Sequence, residues 1–418
     1  MRFRNLFVTL GAALGIAGGS PSVSQAAPLD KTAQANSFVT LAPIESEAFS
    51  NLNGESWDDA KTGRVPNYLR AIAATHPKAV SSFAHLFKTV LCGGSVSPNV
   101  KLAMGLRISQ MNGSAYLTRH LLRLSKTLQS DQSSAPSSPA YRMGVLYAEH
   151  LTKAVRGVTD NEFMQARGVF NDAEIVELTA TTCFFNYFSR FCSGAGLPLE
   201  AWASESPNGQ VKLAEKSQAR ARVTLATDNE LEMGSTFLKR TVDPRQSLGF
   251  KIANSQRAML RVPDIGGAWW GFWQDIRTET KMARADLLHI SFAVSTLNDC
   301  RYCVLHQVAG LSKSGVSASK LMSMRDSDDM LSPKEKALTN FSRKLTATPQ
   351  TLNAQDYTSL RAGVADDNEA VDALLQTCAF NFMNRFTDGL RLPSEEEAVQ
   401  TYQGIYGDKS YDNFYNKR

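Results

Sequence analysis

Two stretches decide the fold: "IVELTATTCFFNYFSRFCSGAGLP", Ile175–Pro198, and "AVDALLQTCAFNFMNRFTDGLRLP", Ala370–Pro393. Set against each other, they pair Cys183 with Cys378, Phe185 with Phe380, Asn186 with Asn381, and Arg190 with Arg385. Gly194, Leu197 and Pro198 pair with Gly389, Leu392 and Pro393. Over 174–191 and 369–386 the apolar residues recur every three or four positions, the period of a helix. Each stretch opens on acidic residues and closes on Gly and then Pro, which are helix start and stop signals. The Asn and Arg of each copy stand at i and i+4 and therefore share one face. They can line a pocket or fix the packing of two helices around an aromatic core. The packing role is the reading adopted.

The correspondence continues upstream. "YAEHLT" at Tyr147 matches "FSRKLT" at Phe341, and "DNEFMQARGVFNDAE" matches "AQDYTSLRAGVADDNE" with one residue of slippage. "HLLRLSK" answers "HQVAGLSK", and "NGSAYLTRHL", Asn112–Leu121, answers "NDCRYCVLHQ", Asn298–Gln307. "GRVP" before Asn67 and "LRVP" before Asp264 are read as the two starts. An internal repeat sets the architecture before any other consideration. The chain therefore reads as two homologous units, about 51–200 and 250–418. Between them, 201–249 is polar at first and then helix-prone, a linker followed by a connecting helix. "SDQSSAPSSP" from Ser130 is a loop inside the first unit. "ADLLHISFAVSTL" is again helical in period, and no β-hairpin signature occurs. The prediction is an all-α protein whose two units form an intramolecular version of a symmetric dimer, related by a pseudo-twofold.

A chain of 418 residues is long enough for two domains, and its 43% hydrophobic content is that of a globular protein. The formal charge of +5 is spread without a dense basic run, which excludes nucleic acid as a partner. "MRFRN", then "LFVTLGAALGIAG", then "SPSVSQAA" read as a signal peptide over 1–26, cut after Ala26. The apolar run is too short to span a bilayer. The expectation is a periplasmic or secreted protein with no stable membrane insertion.

Of the six cysteines, Cys92, Cys183, Cys192, Cys300, Cys303 and Cys378, only Cys300 and Cys303 have a spacing with chemical meaning. A helix with Asp299 as its N-cap puts both on one face, near the positive end of the helix dipole. That position favours the thiolate, the form that attacks. The second sulfur can then close a disulfide on the first. His306 and Gln307 follow one turn on, and a histidine exchanges protons at neutral pH. This is the layout of a two-cysteine redox centre, which calls for no metal and no cofactor. Two other readings stand beside it. One is a purely structural pair. The other is a zinc site of Cys300, Cys303 and His306, for which His289 is the one fourth ligand close in sequence. His120 occupies the position of His306 in a unit without the cysteines, so a structural histidine in both copies is a further alternative. Cys183 and Cys378 read as buried, inert thiols. Cys92 and Cys192 have no readable role. "GGAWWGFW", with Trp269, Trp270 and Trp273, reads as an aromatic helix docked on the core, or else as the wall of an apolar substrate channel.

"LNDCRYCVLHQ", placed after a long apolar helix and followed by a helix of pattern FNxxxRF…G, resembles the AhpD-like, carboxymuconolactone decarboxylase superfamily. The resemblance covers both units. It implies an all-α fold and association into dimers, trimers or hexamers. It also implies a thiol-dependent peroxidase that reduces a small-molecule hydroperoxide and is regenerated by a thioredoxin-like reductant. By that resemblance Cys303 is the attacking thiolate, Cys300 the resolving cysteine, and His306 the member of the proton relay. The family histidine stands four residues after the second cysteine, where this chain has Gln307. The family glutamate falls on Leu288, close to Asp286 and His289. The first unit has Ser114 and Leu117 at the cysteine positions, and resembles the cysteine-free decarboxylase branch or a scaffold half. The alternatives are a non-catalytic binding protein of the same fold and a cysteine-independent lyase with His120 or His306 as its base.

Overall fold

The central helix of each repeat is buried along nearly its whole length, its polar residues included. A computed structural model describes residues 38–42, 46–49, 52, 64–126, 136–204 and 253–407. The export segment, the connection 205–249 and most of the "SDQSSAPSSP" loop lie outside these residues. The described residues form 16 α-helices and no strand. In the first half they are α1 (Asn67–Ala73), α2 (Ala79–Cys92), α3 (Pro98–Met111), α4 (Ala115–Ser125), α5 (Pro139–Lys153), α6 (Asp160–Arg167) and α7 (Asp172–Ala195). In the second they are α8 (Asn254–Met259), α9 (Pro263–Glu279), α10 (Arg284–Leu297), α11 (Arg301–Lys313), α12 (Ala318–Asp326), α13 (Pro333–Ala347), α14 (Ala354–Arg361), α15 (Asp367–Gly389) and α16 (Glu396–Tyr406). The chain is all-α, and the seven described helices of the first half recur in the same order in the second, which adds α12 and α16.

The start of the second half differs from the sequence reading. The main-chain N–H of Asn67 donates to Glu200, and its side-chain amide donates to the Pro198 carbonyl oxygen at 2.8 Å. Asn254 makes the same two bonds, to Glu395 at 2.5 Å and to Pro393 at 2.9 Å. The counterpart of Asn67 is therefore Asn254, not Asp264. Val262 and Pro263 instead open α9, the counterpart of α2, with the proline in the first turn where its missing N–H is harmless.

α7 and α15 pack against each other through the middle of the molecule. Asn171 accepts from the Glu174 N–H at 3.0 Å while Glu174 accepts from the Asn171 N–H at 2.9 Å, a reciprocal cap for α7. Asp366 accepts from the Glu369 N–H at 2.9 Å to start α15. Gly194 and Gly389, read from sequence as stop signals, stand at the last turn of these helices and are also points of close approach. A Cβ on Gly194 would stand 2.4 Å from a Leu374 methyl, and one on Gly389 would stand 2.9 Å from a Leu151 methyl. The left-handed residue that ends α7 is Gly196, φ 61°. Its counterpart is Arg391, φ 50°.

The repeated Asn–Arg pair is a packing device. Asn186 donates to Thr152 Oγ1 at 2.8 Å, and its oxygen accepts from Asn112 at 3.1 Å and from Arg190 at 2.7 Å. Asn381 donates to Thr346 Oγ1 at 2.8 Å and accepts from Asn298 at 3.4 Å and from Arg385 at 3.0 Å. Each arginine then crosses to the other half. Arg190 donates to the Thr346 carbonyl at 3.3 and 3.4 Å, and Arg385 donates to the Thr152 carbonyl at 3.2 Å. Asn186→Ala and Asn381→Ala each strand several buried polar groups, so each is expected to cost about 2–4 kcal/mol of stability in urea unfolding. A cost confined to one of the two would refute their equivalence.

Candidate active site

The cysteine segment is shaped by its backbone before its sulfurs matter. α10 ends at Leu297 and the chain turns through Asp299 at φ 52° into α11. The sequence predicts Asp299 as the N-cap, but the structure gives that place to Cys300, whose sulfur accepts from the Cys303 N–H at 3.4 Å. An aspartate in the left-handed region cannot take the extended backbone that an N-cap requires. Both sulfurs flank the Thr387 hydroxyl, Cys300 at 3.4 Å and Cys303 at 3.3 Å. Cys300 also donates to Asp388 Oδ1 at 3.5 Å. Asp388 is completely buried. Its other oxygen accepts from the Arg301 N–H at 3.3 Å and lies 3.5 Å from Arg156 Nε. Arg156 belongs to the first half, just after α5. It also pairs with the Asp299 carboxylate and donates to the Asp299 carbonyl at 2.8 Å.

The two sulfurs are not alike. Cys300 is 0% exposed and sits behind the cavity wall. Burial pushes its thiol well above the ordinary cysteine value, and the Cys303 sulfur and the Asp388 carboxylate add to that. This overrides the helix-dipole effect on Cys300 that its position in sequence implies. Cys303 lines a cavity of about 370 Å³ together with His306 and Gln307, so the turn of helix read from sequence does face one space. Trp269, Trp270 and Trp273 line it too. The tryptophan helix docks on the core as read from sequence, with Trp269 stacked on the Phe382 ring at 3.7 Å between centroids.

His306 Nε2 lies 2.6 Å from Glu395 Oε2, and its ring stacks on Tyr302 at 4.4 Å. Tyr302 donates to Glu395 Oε1 at 3.0 Å. The first half repeats this unit. His120 Nε2 lies 2.8 Å from Glu200 Oε2, and Tyr116 donates to Glu200 Oε1 at 2.7 Å. The Tyr–His–Glu triad therefore belongs to the fold of each half and ties α4 or α11 to the segment after the central helix.

The remaining candidates fall elsewhere. His289 is buried against α13, 2.7 Å from Thr339 Oγ1, and burial lowers its pKa. Asp286 pairs with Lys334 at 2.9 Å. Neither lines the cavity, whereas Leu288 does. Ser114 is the N-cap residue of α4 and Leu117 is buried. Burial raises the thiols of Cys183, Cys192 and Cys378, and that of the half-buried Cys92, above their ordinary value. Among the described residues no cluster of three or more His, Cys, Asp or Glu is placed to hold a metal ion. No described helix is long and apolar enough to cross a membrane.

Glu200, Glu395, Thr387, Asp388 and Arg156 were not found from sequence. The two glutamates had a signal: each stands two residues past the aligned prolines Pro198 and Pro393, just beyond where the repeat comparison stopped. Thr387 and Asp388 had none, because the repeat diverges there to Cys192 and Ser193.

No family model matches the chain, and no curated protein matches it. Several solved structures resemble part of it, and three of them are as follows. The debrominase Bmp8 in complex with 2,3,4-tribromopyrrole is 19% identical over 45% of this chain and all of its own, with a TM-score of 0.38. The apo form of Bmp8 is 20% identical over 44% of this chain and 97% of its own, with a TM-score of 0.38. An uncharacterized peroxidase-related protein from Silicibacter sp. TM1040 is 18% identical over 44% of this chain and 97% of its own, with a TM-score of 0.35.

Burial alone would raise the Glu200 and Glu395 carboxyls, but their histidine partners and the N–H and O–H donors around them outweigh it and hold both below the ordinary value. A carboxyl with a depressed pKa in the folded state contributes stability above its unfolded pKa and loses it as pH falls through the folded one. The stability each supplies is therefore complete above about pH 4.5 and disappears on further acidification. Glu395→Gln is expected to flatten the acid limb of a melting-temperature profile, and an unchanged limb would contradict the pairing.

Proposed function

We propose that this chain is a tandem, exported member of the AhpD-like superfamily, and that its second half reduces organic hydroperoxides with Cys303 and Cys300. The observation that carries the reading is the asymmetry of the pair. One sulfur opens onto a cavity, and the other waits behind it beside a buried carboxylate. The Cys303 thiolate attacks the outer oxygen of R–O–O–H and the O–O bond breaks. The products are a Cys303 sulfenic acid and an alkoxide, which is protonated to ROH. His306, the histidine lining the cavity and braced by Glu395, is the donor of that proton. Cys300 then attacks the Cys303 sulfur. The S–S bond forms, the S–O bond breaks, and hydroxide leaves as water with a proton. The Cys300 thiol proton passes to Asp388, the acceptor it already faces. An exported thioredoxin-like dithiol returns two electrons and restores both thiols.

In this scheme the first half has a role. Its Arg156 keeps a positive charge beside the buried Asp388 and braces the Asp299 turn that sets Cys300 at the N-cap.

One equivalent of cumene hydroperoxide added to the reduced protein should remove two thiols, both within the Cys300–Cys303 peptide. Cys303→Ser should abolish the loss. Cys300→Ser should stop at a sulfenic acid that dimedone traps. Asp388→Asn should slow disulfide closure by on the order of 10²-fold. Peroxide consumption that persists unchanged in Cys303→Ser would overturn the proposal.

A further inference from the structure

The lining of the Cys303 cavity says more than the reaction class. One side is apolar and mostly aromatic: Trp269, Trp270, Trp273, Phe380, Met383 and Leu287. At the rim stand Arg277 and Arg284, both exposed, and among the described residues no aspartate or glutamate lines the space. Arg277 lies with its guanidinium carbon 5.8 Å from the centroid of the Trp273 ring. It keeps contact with solvent, yet the protein packed around the guanidinium and then the neighbouring Arg284 cation push its pKa below the ordinary arginine value. Both arginines line one apolar cavity on its solvent side, so an anion carried on an apolar body can meet cations there while its body stays in the cavity. A planar guanidinium fork matches a carboxylate in shape as well as charge.

A second observation lies at the inner end. Gln307 is 7% exposed, and among the described residues its side-chain oxygen has no hydrogen-bond partner. A buried acceptor without a donor is costly, and a ligand that brings one removes the cost. Gln307 lines the cavity beside Cys303 and His306. A hydroperoxide has one O–H to donate, on the oxygen that the thiolate attacks. A Gln307 oxygen accepting that proton would hold the outer oxygen in the neighbourhood of Cys303.

We propose that the cavity takes a hydroperoxide carried on an apolar body that ends in a carboxylate, a fatty-acid hydroperoxide in class. The carboxylate meets Arg277 and Arg284 at the rim, the body lies along the tryptophans, and the peroxide O–H donates to Gln307. This rests on the reductase reading above. Its new content is the anionic apolar substrate and the roles of Arg277, Arg284 and Gln307 in holding it.

The test has a binding arm and a reaction arm, both on the whole protein. In the first, quenching of tryptophan fluorescence is followed with a hydroxy derivative of linoleic acid and with its methyl ester. Neither can oxidise a thiol. The acid should bind at least tenfold more tightly than the ester, the gain expected of a charge-assisted hydrogen bond. The double variant Arg277→Gln, Arg284→Gln should reduce that ratio to near one. Gln307→Leu should weaken the acid and the ester alike and leave their ratio intact. In the second arm, stopped-flow loss of the Cys303 thiol should be at least tenfold faster with linoleic acid hydroperoxide than with its methyl ester. Equal binding of acid and ester by the unmodified protein overturns the proposal, whatever Cys303 does with peroxide. A tenfold preference for the acid without oxidation of Cys303 by any hydroperoxide leaves the carboxylate site standing and removes the reductase reading instead.

Discussion

Two arginines buried without a carboxylate are the constraint on which the rest of the molecule depends. Arg190 and Arg385 lie on the paired central helices, and each is solvated by an asparagine of its own half and a backbone carbonyl of the other. An isolated charge is expensive to bury. Burial lowers the pKa of Arg385 to about 10, and burial, then the facing Arg385 cation, holds that of Arg190 well below the ordinary arginine value. The cost is reduced by the acceptors that meet the terminal guanidinium nitrogens of each arginine in fixed geometry. The acceptors sit at the ends of α5 and α13, so these helix ends are held where the opposite half needs them. Neither half can satisfy its arginine alone, which couples the two more specifically than apolar contact would.

That coupling reaches the cysteines through two strained positions. Among the described non-glycine residues only Asp299 and Arg391 have positive φ, and their counterparts in the first half are glycines, Gly113 and Gly196. A side chain in the left-handed region costs on the order of 1 kcal/mol. Both side chains turn to the same stretch of the first half. Asp299 pairs with Arg156, and Arg391 pairs with Asp160. The two turns that frame the cysteine site thus exchange backbone ease for ion pairs across the halves. The first half keeps glycine where it makes no such contact.

The central helices were legible in the sequence because their pattern is local: a helical period, acidic starts, and the same residues written twice. The Asn–Arg pairs were legible for the same reason, since a packing role shared by both halves leaves the same letters in both. The cavity was only half legible. Cys303, His306 and Gln307 follow from spacing along one helix, but Asp388 and Arg156 reach the site from distant segments and on opposite sides of the repeat. Neither has a counterpart that comparison of the halves could expose. The N-cap was misread because aspartate is a favoured cap by composition. The positive φ that decided the matter is shared with Gly113 in the first half, where the glycine marks it, whereas aspartate at the same place in the second half does not.

What sets the second half apart follows from setting the two cap residues side by side. Ser114 has φ −84° and ψ 86°, and Cys300 has φ −82° and ψ 99°, so the turn is built the same way in both. The Ser114 hydroxyl is buried with no partner among the described residues, while the Cys300 sulfur meets the Cys303 N–H, Thr387 and Asp388. The sulfurs are therefore not needed to form the helix start, and neither is the histidine that follows it, which His120 supplies in the cysteine-free half. What the second half adds is a matched set: two sulfurs, a hydroxyl between them, a buried carboxylate behind, and a cation from its neighbour to hold that carboxylate's charge. A structural pair of cysteines would need none of the last three. Their presence around this pair alone is the physical reason to read it as a site of chemistry on a socket that the fold builds twice.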